Sequence, residues 1–546
     1  MVMNKAPKTK SKAPARKAAA TTKKTKLAVK ETNGHNDSEE PQDSIETPSD
    51  EVSEEKTMTN GKPTVMKSTK ASKPAPKAAA TRKRKTSDEK EKKEEEEEEV
   101  EEPKPVAGPS KSKLDSTSKE ASTSAVKRTL SIKTKAKKQK VVLDIPPVRS
   151  IAGKVFVMGE NDVGQLGIEG VERKKRPAML DLPYEFVDIA AGGMHSVCLT
   201  ENGEVITFGC NDEGALGRIT AEDDSLEFKP IKVSIPEKVV QISAGDSHSA
   251  ALAESGHVYL WGNFRSKDGP MGLTVDHTKQ LTPIRILSDV TVVKISSGTE
   301  HLACLSNDGL VYTLGCGENG QLGRIGMRNL NSGGRSGLAS FLNPAQVYIG
   351  NRNVPIVDVW TGSYNTFLKA QTTGTIYAFG LNNFQQLGFP KQNEADNVVF
   401  APKHVRAFSN NTWLRITGGQ HHSLALDNNG LVYSLGRGEY GRLGLGDRTE
   451  ELSVPTVIPT LQDKNSLEIS CGNCVSFSIT EEGTVFSWGM GDNHQLGHGS
   501  EDDCHIPEAI KGNFLDSWKA LKVSGGGQHT LILAVPKENP KTDKKK

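Results

Sequence analysis

The chain has 546 residues and a net charge of +2, opens on lysine-rich polar sequence, and has no apolar run of about 20 residues. Neither a signal peptide nor a membrane span is therefore expected, and seven cysteines without a disulfide-like framework favour an intracellular, reducing compartment. Residues 1–150 hold 35 Lys and Arg against 24 Asp and Glu, whereas the rest of the chain holds 35 against 44, so a basic tail precedes an acidic body.

The first 145 residues are predicted to be a disordered tail. Residues 1–150 contain no Phe, Trp, Tyr or Cys, so they cannot bury enough apolar surface to offset the entropy of ordering. A solvated linker is the simplest interpretation of the charge blocks. Two basic clusters favour nuclear import or contact with DNA phosphates instead: Arg82, Lys83, Arg84 and Lys85; and Lys127, Arg128, Lys137 and Lys138. Without aromatic residues for stacking on bases, sequence-specific readout is not expected.

Seven glycine-bounded loops of one pattern follow the tail. The full form is Gly-Glu-Asn-Asp-Val-Gly-Gln-Leu-Gly at 159–167. The opening glycine returns at Gly209, Gly262, Gly315, Gly380, Gly436 and Gly489. Steps of 50 to 65 residues between them indicate a solenoid or a propeller, whose units bury their apolar faces only by stacking on neighbours.

A second motif, Gly-x-x-His, precedes most of these loops and predicts a turn followed by a strand. Its copies end at His195, His248, His301, His422 and His529, and two degenerate copies end at Asn365 and Val475. Turns such as Asn-Asp-Gly at 307–309 then separate two apolar runs, which is the strongest short signal of a β-hairpin. A repeat of about 50 residues suits a four-stranded propeller blade.

The two ends of the repeat region carry half-repeats. The glycine loop at 159 has no Gly-x-x-His strand before it, and the strand at 526 has no glycine loop after it. Joined in one sheet, the halves would complete a blade and remove open strand edges. The sequence therefore predicts an all-β protein: a seven-bladed β-propeller over residues 146–536, closed by its own terminal strands, between a disordered tail at 1–145 and a disordered basic C-terminus at 537–546.

No pattern in the sequence predicts a metal or a cofactor. Histidines that return once per blade are spread around a ring, so hydrogen bonds to the turn backbone are favoured over metal ligation. Cys471-Gly-Asn-Cys474 looks like half of a zinc site, but it occupies a degenerate Gly-x-x-His copy and no second pair exists. No Gly-x-x-x-x-Gly-Lys-Ser/Thr loop for binding nucleotide phosphates is present. We therefore look for function where one repeat departs from the others.

Departures at two places concern one rim of the predicted ring. Six glycine loops span eight residues, but the third spans ten, from Gly262 to Gly272, which predicts a protruding loop; a neutral surface insertion is the alternative. The variable positions inside the Gly-x-x-His turns include Asp246, Glu300 and His421. Polar side chains of different types on a common rim suit the binding of a protein partner.

A third departure is the long connection that follows Arg324. It reads Met-Arg-Asn-Leu-Asn-Ser-Gly-Gly-Arg-Ser at 327–336 and contains Arg328 and Arg335. Arginines on a glycine-rich segment suit anchoring in an acidic pocket of a partner.

Four segments go beyond the generic repeat: Ala-Gly-Gly-Met-His at 191–195, Phe-Gly-Cys-Asn-Asp-Glu-Gly-Ala-Leu-Gly-Arg at 208–218, Ser-Ala-Gly-Asp-Ser-His at 243–248 and Glu-Tyr-Gly-Arg-Leu-Gly at 439–444. With them the chain resembles, over nearly all of residues 151–535, the regulator of chromosome condensation family. These proteins are chromatin-bound guanine nucleotide exchange factors for the small GTPase Ran. The tail is longer than is typical of the family and is similar to that of invertebrate forms.

The resemblance implies roles for named residues. The third-repeat loop is similar to the family's wedge, which enters between the phosphate-binding region and the switch segments of the GTPase. It would be built by Arg265, Ser266, Lys267 and Asp268, with Arg265 and Asp268 at its tip. Positions that the family uses against the GTPase are matched by Asp162, Asp246, Glu300 and His421. Glu300 stands where vertebrate members have Asp, so its role is less certain than that of Asp246.

The resemblance also implies a nuclear, chromatin-bound protein. Arg328 and Arg335 would meet the acidic patch of the histone octamer on the opposite rim, the basic tail would contact DNA phosphates, and an importin would bind a basic cluster. Two functions stay open at this point. One is a Ran exchange factor without covalent chemistry, which supports nuclear transport, spindle assembly and control of chromosome condensation; the other is a propeller scaffold without exchange activity. The longer third loop and the acidic rim favour the first.

Overall fold

The computed structural model describes residues 141–220, 223, 225–330, 335–350, 354–512 and 517–537. They form seven four-stranded antiparallel sheets and one two-stranded hairpin, so the predicted all-β, seven-bladed β-propeller is confirmed. Residues 1–140 of the predicted tail, with the basic clusters at 82–85, 127–128 and 137–138, and residues 538–546 of the predicted C-terminus lie outside the described residues, and the domain limits stay predictions.

The strands run from the centre of the ring to its outside within each blade. The first strands, β1 (Lys154–Glu160) and β2 (Arg173–Met179), belong to blade 1. Blade 2 contains β3 (Phe186–Ala191), β4 (His195–Thr200), β5 (Val205–Gly209) and β6 (Ile231–Lys232). Blade 3 contains β7 (Val239–Ala244), β8 (His248–Ala253), β9 (Val258–Gly262) and β12 (Gln280–Ile286), and its hairpin is β10 (Phe264–Ser266) with β11 (Gly269–Gly272). Blade 4 contains β13 (Val292–Ser297), β14 (His301–Ser306), β15 (Val311–Gly315) and β16 (Ala345–Gln346).

The remaining blades repeat this order. Blade 5 contains β17 (Ile356–Thr361), β18 (Asn365–Ala370), β19 (Ile376–Leu381) and β20 (Val398–His404). Blade 6 contains β21 (Trp413–Gly418), β22 (His422–Asp427), β23 (Val432–Gly436) and β24 (Leu452–Val457). Blade 7 contains β25 (Ser466–Cys471), β26 (Val475–Thr480), β27 (Val485–Gly489) and β28 (Cys504–Ala509), after which β29 (Trp518–Gly525) and β30 (His529–Pro536) return to blade 1.

Short helices lie only in connections of the described chain. The α-helices are α1 (Ser225–Phe228), α2 (Met327–Leu330) and α3 (Arg335–Leu342), and 3-10 turns lie at Glu394–Asn397, Arg406–Phe408, Glu439–Gly441 and Pro459–Leu461. A search of the described helices found none with the length and apolarity to cross a membrane.

Blade 1 closes the ring with strands from both ends of the described chain. Its sheet order is β2-β1-β30-β29. β1 and β30 are paired without interruption from Lys154 opposite Ala534 to Gly159 opposite His529. The half-repeats at the two ends of the sequence therefore share one sheet, and this pairing leaves no free edge between the first and last blades.

The apolar core lies between neighbouring blades. The second strand of a blade is buried along its whole length, as β4, β8 and β14 show. Trp261 of blade 3 belongs to one buried cluster with Val187 and Val197 of blade 2, and its indole N–H donates to the carbonyl of Ala215 at 2.8 Å. Each blade therefore completes the core of the next, as expected of a repeat that cannot bury its faces alone.

One end of the ring, here called the motif rim, carries the seven Gly-x-x-His-type turns and the glycine loops. The first residue of each Gly-x-x-His turn must be small, because a Cβ atom on Gly245, for example, would overlap the ring of His248. The turns also hold one another: the amide of Asp246 donates to the carbonyl of Thr299 in the next blade at 2.8 Å. Such links make this rim a rigid surface.

The motif histidines bond to side chains of the neighbouring blade, whereas the sequence predicted bonds to the turn backbone. Nε2 bonds to a hydroxyl of the next blade at 2.8–2.9 Å in four of them: His195, His301, His422 and His529. The Ser249 hydroxyl, the partner of His195, in turn donates to the carbonyl of Ala215 at 2.8 Å. Burial lowers the pKa of His195 to about 4 and that of His301 to about 3, so both rings are neutral near pH 7.

A polar ring that the sequence analysis missed surrounds the central channel, whose volume is about 650 Å³. Each inner strand contributes one residue at the same register: Asp188, Gln241, Lys294, Asp358, Arg415, Glu468 and Lys522. Neighbouring members are paired by charge across blade boundaries, as Lys522 with Asp188, Lys294 with Asp358, and Arg415 with Glu468. These ion pairs link neighbouring blades at three of the seven blade boundaries.

The segment before β1 lies across the end of the ring that faces away from the motif rim, here called the opposite rim. The amide of Leu143 donates to the carbonyl of Asn307, in the turn between β14 and β15, at 2.7 Å. Leu143 and Ile145 pack on the core between blades 4 and 5. The chain therefore enters the propeller at the opposite rim.

Candidate functional site

The long third loop is a two-stranded β-hairpin on the motif rim. Ser266 pairs with Gly269, so the turn between β10 and β11 is Lys267-Asp268. The two turn side chains are 74% and 82% exposed. Arg265, which was predicted to share the tip with Asp268, instead lies on β10, and its guanidinium bonds to Glu213 at 3.1 Å. The tip is therefore Lys267-Asp268, so Arg265 belongs to the hairpin as predicted but does not lie at its tip.

Three glutamates from neighbouring blades hold the hairpin. Glu213 of blade 2 binds the Arg265 guanidinium and also accepts a hydrogen bond from the side-chain amide of Asn263 at 2.8 Å. Glu318 of blade 4 accepts from the amide of Lys267 at 3.1 Å. Glu300 of blade 4 accepts from the amide of Arg265 at 2.7 Å. The hairpin is thus fixed from both sides by acidic side chains.

Glu300 lies beneath the hairpin. Only 8% of the residue is exposed, so the expectation that it faces a partner directly from the rim does not match its position. Burial raises the pKa of Glu300 to about 9, and the nearby Asp246 carboxylate adds to the rise, whereas the Arg265 amide opposes it. Near pH 7 this side chain is a neutral acid that anchors the hairpin backbone.

Asp246 presents a carboxyl group beside the hairpin. The residue is exposed to solvent, yet its carboxyl group lies among many protein atoms and against the backbone of Gly193. This partial desolvation raises the pKa of Asp246, and the charge of Arg265 opposes the rise. The structure therefore brings Asp246, Glu300 and Arg265 into one electrostatic cluster.

The other two predicted rim residues belong to other blades. Asp162 is exposed in the glycine loop of blade 1. His421 is half-buried in blade 6 and lies edge-on to the Phe384 ring, with centroids 4.8 Å apart. Burial, helped by Arg442 and Arg437, lowers the pKa of His421 to about 4, so it is neutral near pH 7. Both residues share the motif rim with the hairpin, but neither belongs to its cluster.

His248 marks the hairpin blade in a way that repeat comparison could have found. The other four motif histidines bond to a Ser or Thr hydroxyl of the next blade, but at the corresponding position opposite His248 the next blade has Leu302. Both ring nitrogens of His248 therefore lack a hydrogen-bond partner among the described residues. The His248 ring packs instead on Phe264, the first residue of β10, with centroids 4.6 Å apart. At this boundary the histidine–hydroxyl hydrogen bond is thus replaced by packing of the His248 ring against the first residue of the hairpin.

The long connection with Arg328 and Arg335 starts and ends beside the hairpin. β15 ends at the motif rim, and the chain returns from it along the outer edge of blade 4 into β16. Phe341 of α3 packs with Leu322, Ile325 and the hairpin residue Met271. The described ends of this segment therefore lie near the hairpin and not on the opposite rim, and the chromatin role of Arg328 and Arg335 stays a prediction. Arg328 is exposed in α2, and the side chain of Arg335 lies outside what the structure describes.

The site is suited to binding rather than to covalent chemistry. Its exposed groups are the hairpin tip, Lys267-Asp268, and Asp246, and the partly buried carboxylates of Glu213 and Glu318 lie behind them. Such a surface favours a partner that presents positive charge and a cleft wide enough for a two-stranded hairpin.

Comparison with known proteins gives the family. The model of the RCC1-like domain matches residues 154–532. The Regulator of chromosome condensation of Homo sapiens is 47% identical over 393 residues, which cover 71% of this chain and 91% of that protein. Guanine nucleotide exchange factor SRM1 of Saccharomyces cerevisiae is 30% identical over 427 residues, covering 69% and 86%.

Solved structures agree with this assignment. The crystal structure of Prp20p from Saccharomyces cerevisiae, described with its binding properties to Gsp1p and histones, superposes with a TM-score of 0.65 at 28% identity and covers 72% of this chain and 94% of that chain. Yeast RCC1 (Prp20) bound to Kap60 superposes with a TM-score of 0.66 at 28% identity, covering 76% and 97%. The chain belongs to the regulator of chromosome condensation (RCC1) family.

Proposed function

We propose that this protein is a chromatin-bound guanine nucleotide exchange factor that promotes GDP release from a Ran-type small GTPase. The observation that carries the proposal is the hairpin of blade 3. It is the one glycine loop of the seven that is two residues longer, and it projects from a rim that seven linked turns make rigid. The names of the relatives, which include an exchange factor and a binder of Gsp1p and histones, support the same function.

The activity needs no covalent step. A partner that binds the nucleotide-free GTPase more tightly than the loaded GTPase weakens nucleotide binding by the same factor, because the two equilibria are linked. Each tenfold loss of nucleotide affinity requires about 1.4 kcal/mol of preference for the nucleotide-free form. The nucleotide that then refills the site is set by its concentration in the cell.

The acidic groups around the hairpin give a physical source for that preference. In a GTPase, the nucleotide phosphates are held by a lysine and a magnesium ion. Asp246 and the hairpin-tip Asp268 can compete for these positive charges, and the hairpin can occupy the space between the phosphate loop and the switch segments. Asp162 and His421 would extend the contact around the motif rim. Glu300 acts in this proposal as a positioning residue, since it holds the hairpin backbone.

Chromatin would be held by two parts of the chain. The first described residues lie on the opposite rim, where Leu143 bonds to Asn307, and the basic tail precedes them in the sequence. Its clusters, Lys127-Arg128 and Lys137-Lys138, suit DNA phosphates, and Arg82 to Lys85 suit an importin that delivers the protein to the nucleus. Arg328 and Arg335 would bind the acidic patch of histones from the outer edge of blade 4.

Release of labelled GDP from purified Ran by the full-length chain tests the proposal. Loss of the charged contact in Asp246→Ala should slow release at least about tenfold, since hydrogen bonds to charged groups contribute about 1.5–3 kcal/mol. Glu201→Ala, an exposed acid in the turn between β4 and β5 on the opposite rim, is the matched control and should leave the rate unchanged. If the wild-type chain does not accelerate release, the protein is a scaffold and the proposal fails.

Nucleosome binding is tested with a separate pair of variants. Arg328→Ala should weaken binding to nucleosomes and leave GDP release unchanged, whereas Arg448→Ala, an exposed arginine of blade 6, should affect neither. Deleting residues 1–140 should flatten the salt dependence of DNA binding, because each lost phosphate contact removes released counterions. An unchanged salt slope would exclude phosphate contacts by the tail.

A further inference from the structure

Blade 7 gathers three metal-ligating side chains that are unrelated to the motif rim cluster. One ring nitrogen of His498, Sγ of Cys504 and one carboxylate oxygen of Glu508 lie within 4.8 Å of one another. In a tetrahedral zinc site, ligand bonds of about 2.0–2.3 Å place ligand atoms a little under 4 Å apart. A small inward movement of these side chains would therefore enclose an ion.

The backbone explains why these residues meet. On β28, Cys504 lies opposite Gly489 and Glu508 opposite Ser487. Four steps along β28 thus correspond to two along β27, so a bulge brings the two ligands closer than a regular strand would. The same offset of four residues against two recurs in blades 1, 3, 5 and 6, so the bulge belongs to the repeat, and what is particular to blade 7 is the pair of ligand types that it brings together. His498 comes from the loop that follows β27, directly after the Leu-Gly end of the blade 7 repeat.

Hydrogen bonds prepare the imidazole of His498 for a metal. The Ser487 hydroxyl donates its proton to the carbonyl of Leu496 at 2.7 Å, so its oxygen accepts from Nε2 of His498 at 3.0 Å. That arrangement selects the tautomer with hydrogen on Nε2 and leaves a lone pair on Nδ1. A metal-bound histidine is usually held in this way by a hydrogen bond to its other nitrogen.

The ligand types decide which ion fits. A thiolate, an imidazole and a carboxylate match zinc, whereas magnesium and calcium prefer oxygen ligands alone. Cys504 is buried and Glu508 is exposed, so an ion could enter from the solvent side past the carboxylate. Three protein ligands leave a fourth position for water.

Comparison with the other blades shows which scaffold residue His498 replaces. The residue after Leu-Gly is arginine in two other blades, and Arg324, for example, bonds to the Thr313 hydroxyl at 3.2 Å and the Thr313 carbonyl at 3.0 Å. In blade 7 the strand position of Thr313 is taken by Ser487, and imidazole replaces guanidinium. The scaffold contact is kept, but one nitrogen is released for another partner.

We propose that His498, Cys504 and Glu508 form a zinc-binding site on the outer edge of blade 7. Bound zinc would join the glycine loop of the blade to its outermost strand and would stabilise the folded state by mass action. The nearby cations Arg176 and Lys511 weaken the site electrostatically, and the negative charge of thiolate and carboxylate offsets them. This site is independent of the exchange function proposed above.

Titration of the metal-free full-length chain with cobalt(II) chloride tests the site, because cobalt is a coloured substitute for zinc. We expect one equivalent to give a sulfur-to-cobalt charge-transfer band and the visible bands of a tetrahedral ion, and zinc chloride to abolish both. His498→Gln and Glu508→Gln should weaken binding by at least about tenfold, because loss of even an outer group that orients a metal ligand costs about 10–100-fold in affinity. Cys504→Ser should remove the charge-transfer band.

Cys210→Ser is the matched control, since Cys210 is a half-buried cysteine of the blade 2 glycine loop. It should keep the full band and the wild-type affinity. The near-ultraviolet circular dichroism of each variant, compared with wild type, separates loss of ligand from loss of fold. Absence of the band in the wild type, or its survival in correctly folded Cys504→Ser, would overturn the proposal.

Discussion

Replacement of Glu300 by glutamine should make the protein more stable than wild type, and this difference should grow as the pH rises. The glutamine amide oxygen can still accept the hydrogen bond that the Arg265 amide gives to Glu300 at 2.7 Å, so the hairpin keeps its anchor. What the substitution removes is an acidic proton. Glu300→Gln therefore isolates the effect of ionising one buried carboxyl group under the hairpin.

The direction follows from proton binding. The folded-state pKa of Glu300 is about 9, above its ordinary value of 4.5, so between these values the folded chain binds more protons than the unfolded chain. Stability from this residue is complete below about pH 4.5 and is lost as the pH rises towards 9, by at most about 1.4 kcal/mol per pH unit. From about pH 6 to pH 8 the advantage of glutamine over wild type should grow by up to about 2.7 kcal/mol.

Thermal unfolding followed by near-ultraviolet circular dichroism at the two pH values measures this difference. Glu318→Gln is the control, because Glu318 also accepts from a hairpin amide but its side chain is 31% exposed. Its advantage over wild type should change much less with pH. If the difference between Glu300→Gln and wild type were constant or shrank as the pH rose, the carboxyl group would be ionised in the folded protein and the anchoring role of a neutral acid would be refuted.

Three further outcomes can be measured by chemical and thermal unfolding. His248→Leu should destabilise the protein by about 1 kcal/mol less than His301→Leu, because only His301 loses a hydrogen bond, to Thr366 at 2.9 Å; equal losses would contradict this. Asp188→Ala should cost about 3 kcal/mol by leaving Lys522 unpaired, and an Asp188→Leu/Lys522→Met double variant should recover most of it; a double variant as weak as the single one would argue against pairing. The pKa values of the buried motif histidines lie below their ordinary 6.5 in the folded protein. Below pH 6.5 the unfolded chain therefore binds more protons than the folded chain, and the stability of the fold should fall as the pH drops towards 4. A flat stability profile in this range would show that the rings do not stay neutral.

The repeat pattern was enough to predict the blades and the ring closure, because each blade reuses the same turn chemistry. It also located the hairpin, since a loop that is two residues longer is visible in the sequence. It could not place Glu300 or Arg265, because whether a rim side chain faces solvent or a neighbour depends on the hairpin packed over it. The polar ring was missed because its residues share no type, and only the register of seven strands brings Asp188 and Lys522 together.

The fixed base of the hairpin decides how it can act on a partner. Its backbone is tied at Arg265 by Glu300, at Lys267 by Glu318, and at Gly272 by the Asn263 side chain at 2.8 Å. A loose loop would lose roughly 1–2 kcal/mol of backbone entropy per residue on docking. Because these residues are ordered before binding, more of the contact energy remains to displace groups of the partner. In the proposed exchange activity, Glu300 would thus contribute without touching the GTPase, whereas Lys267 and Asp268 would make the contact.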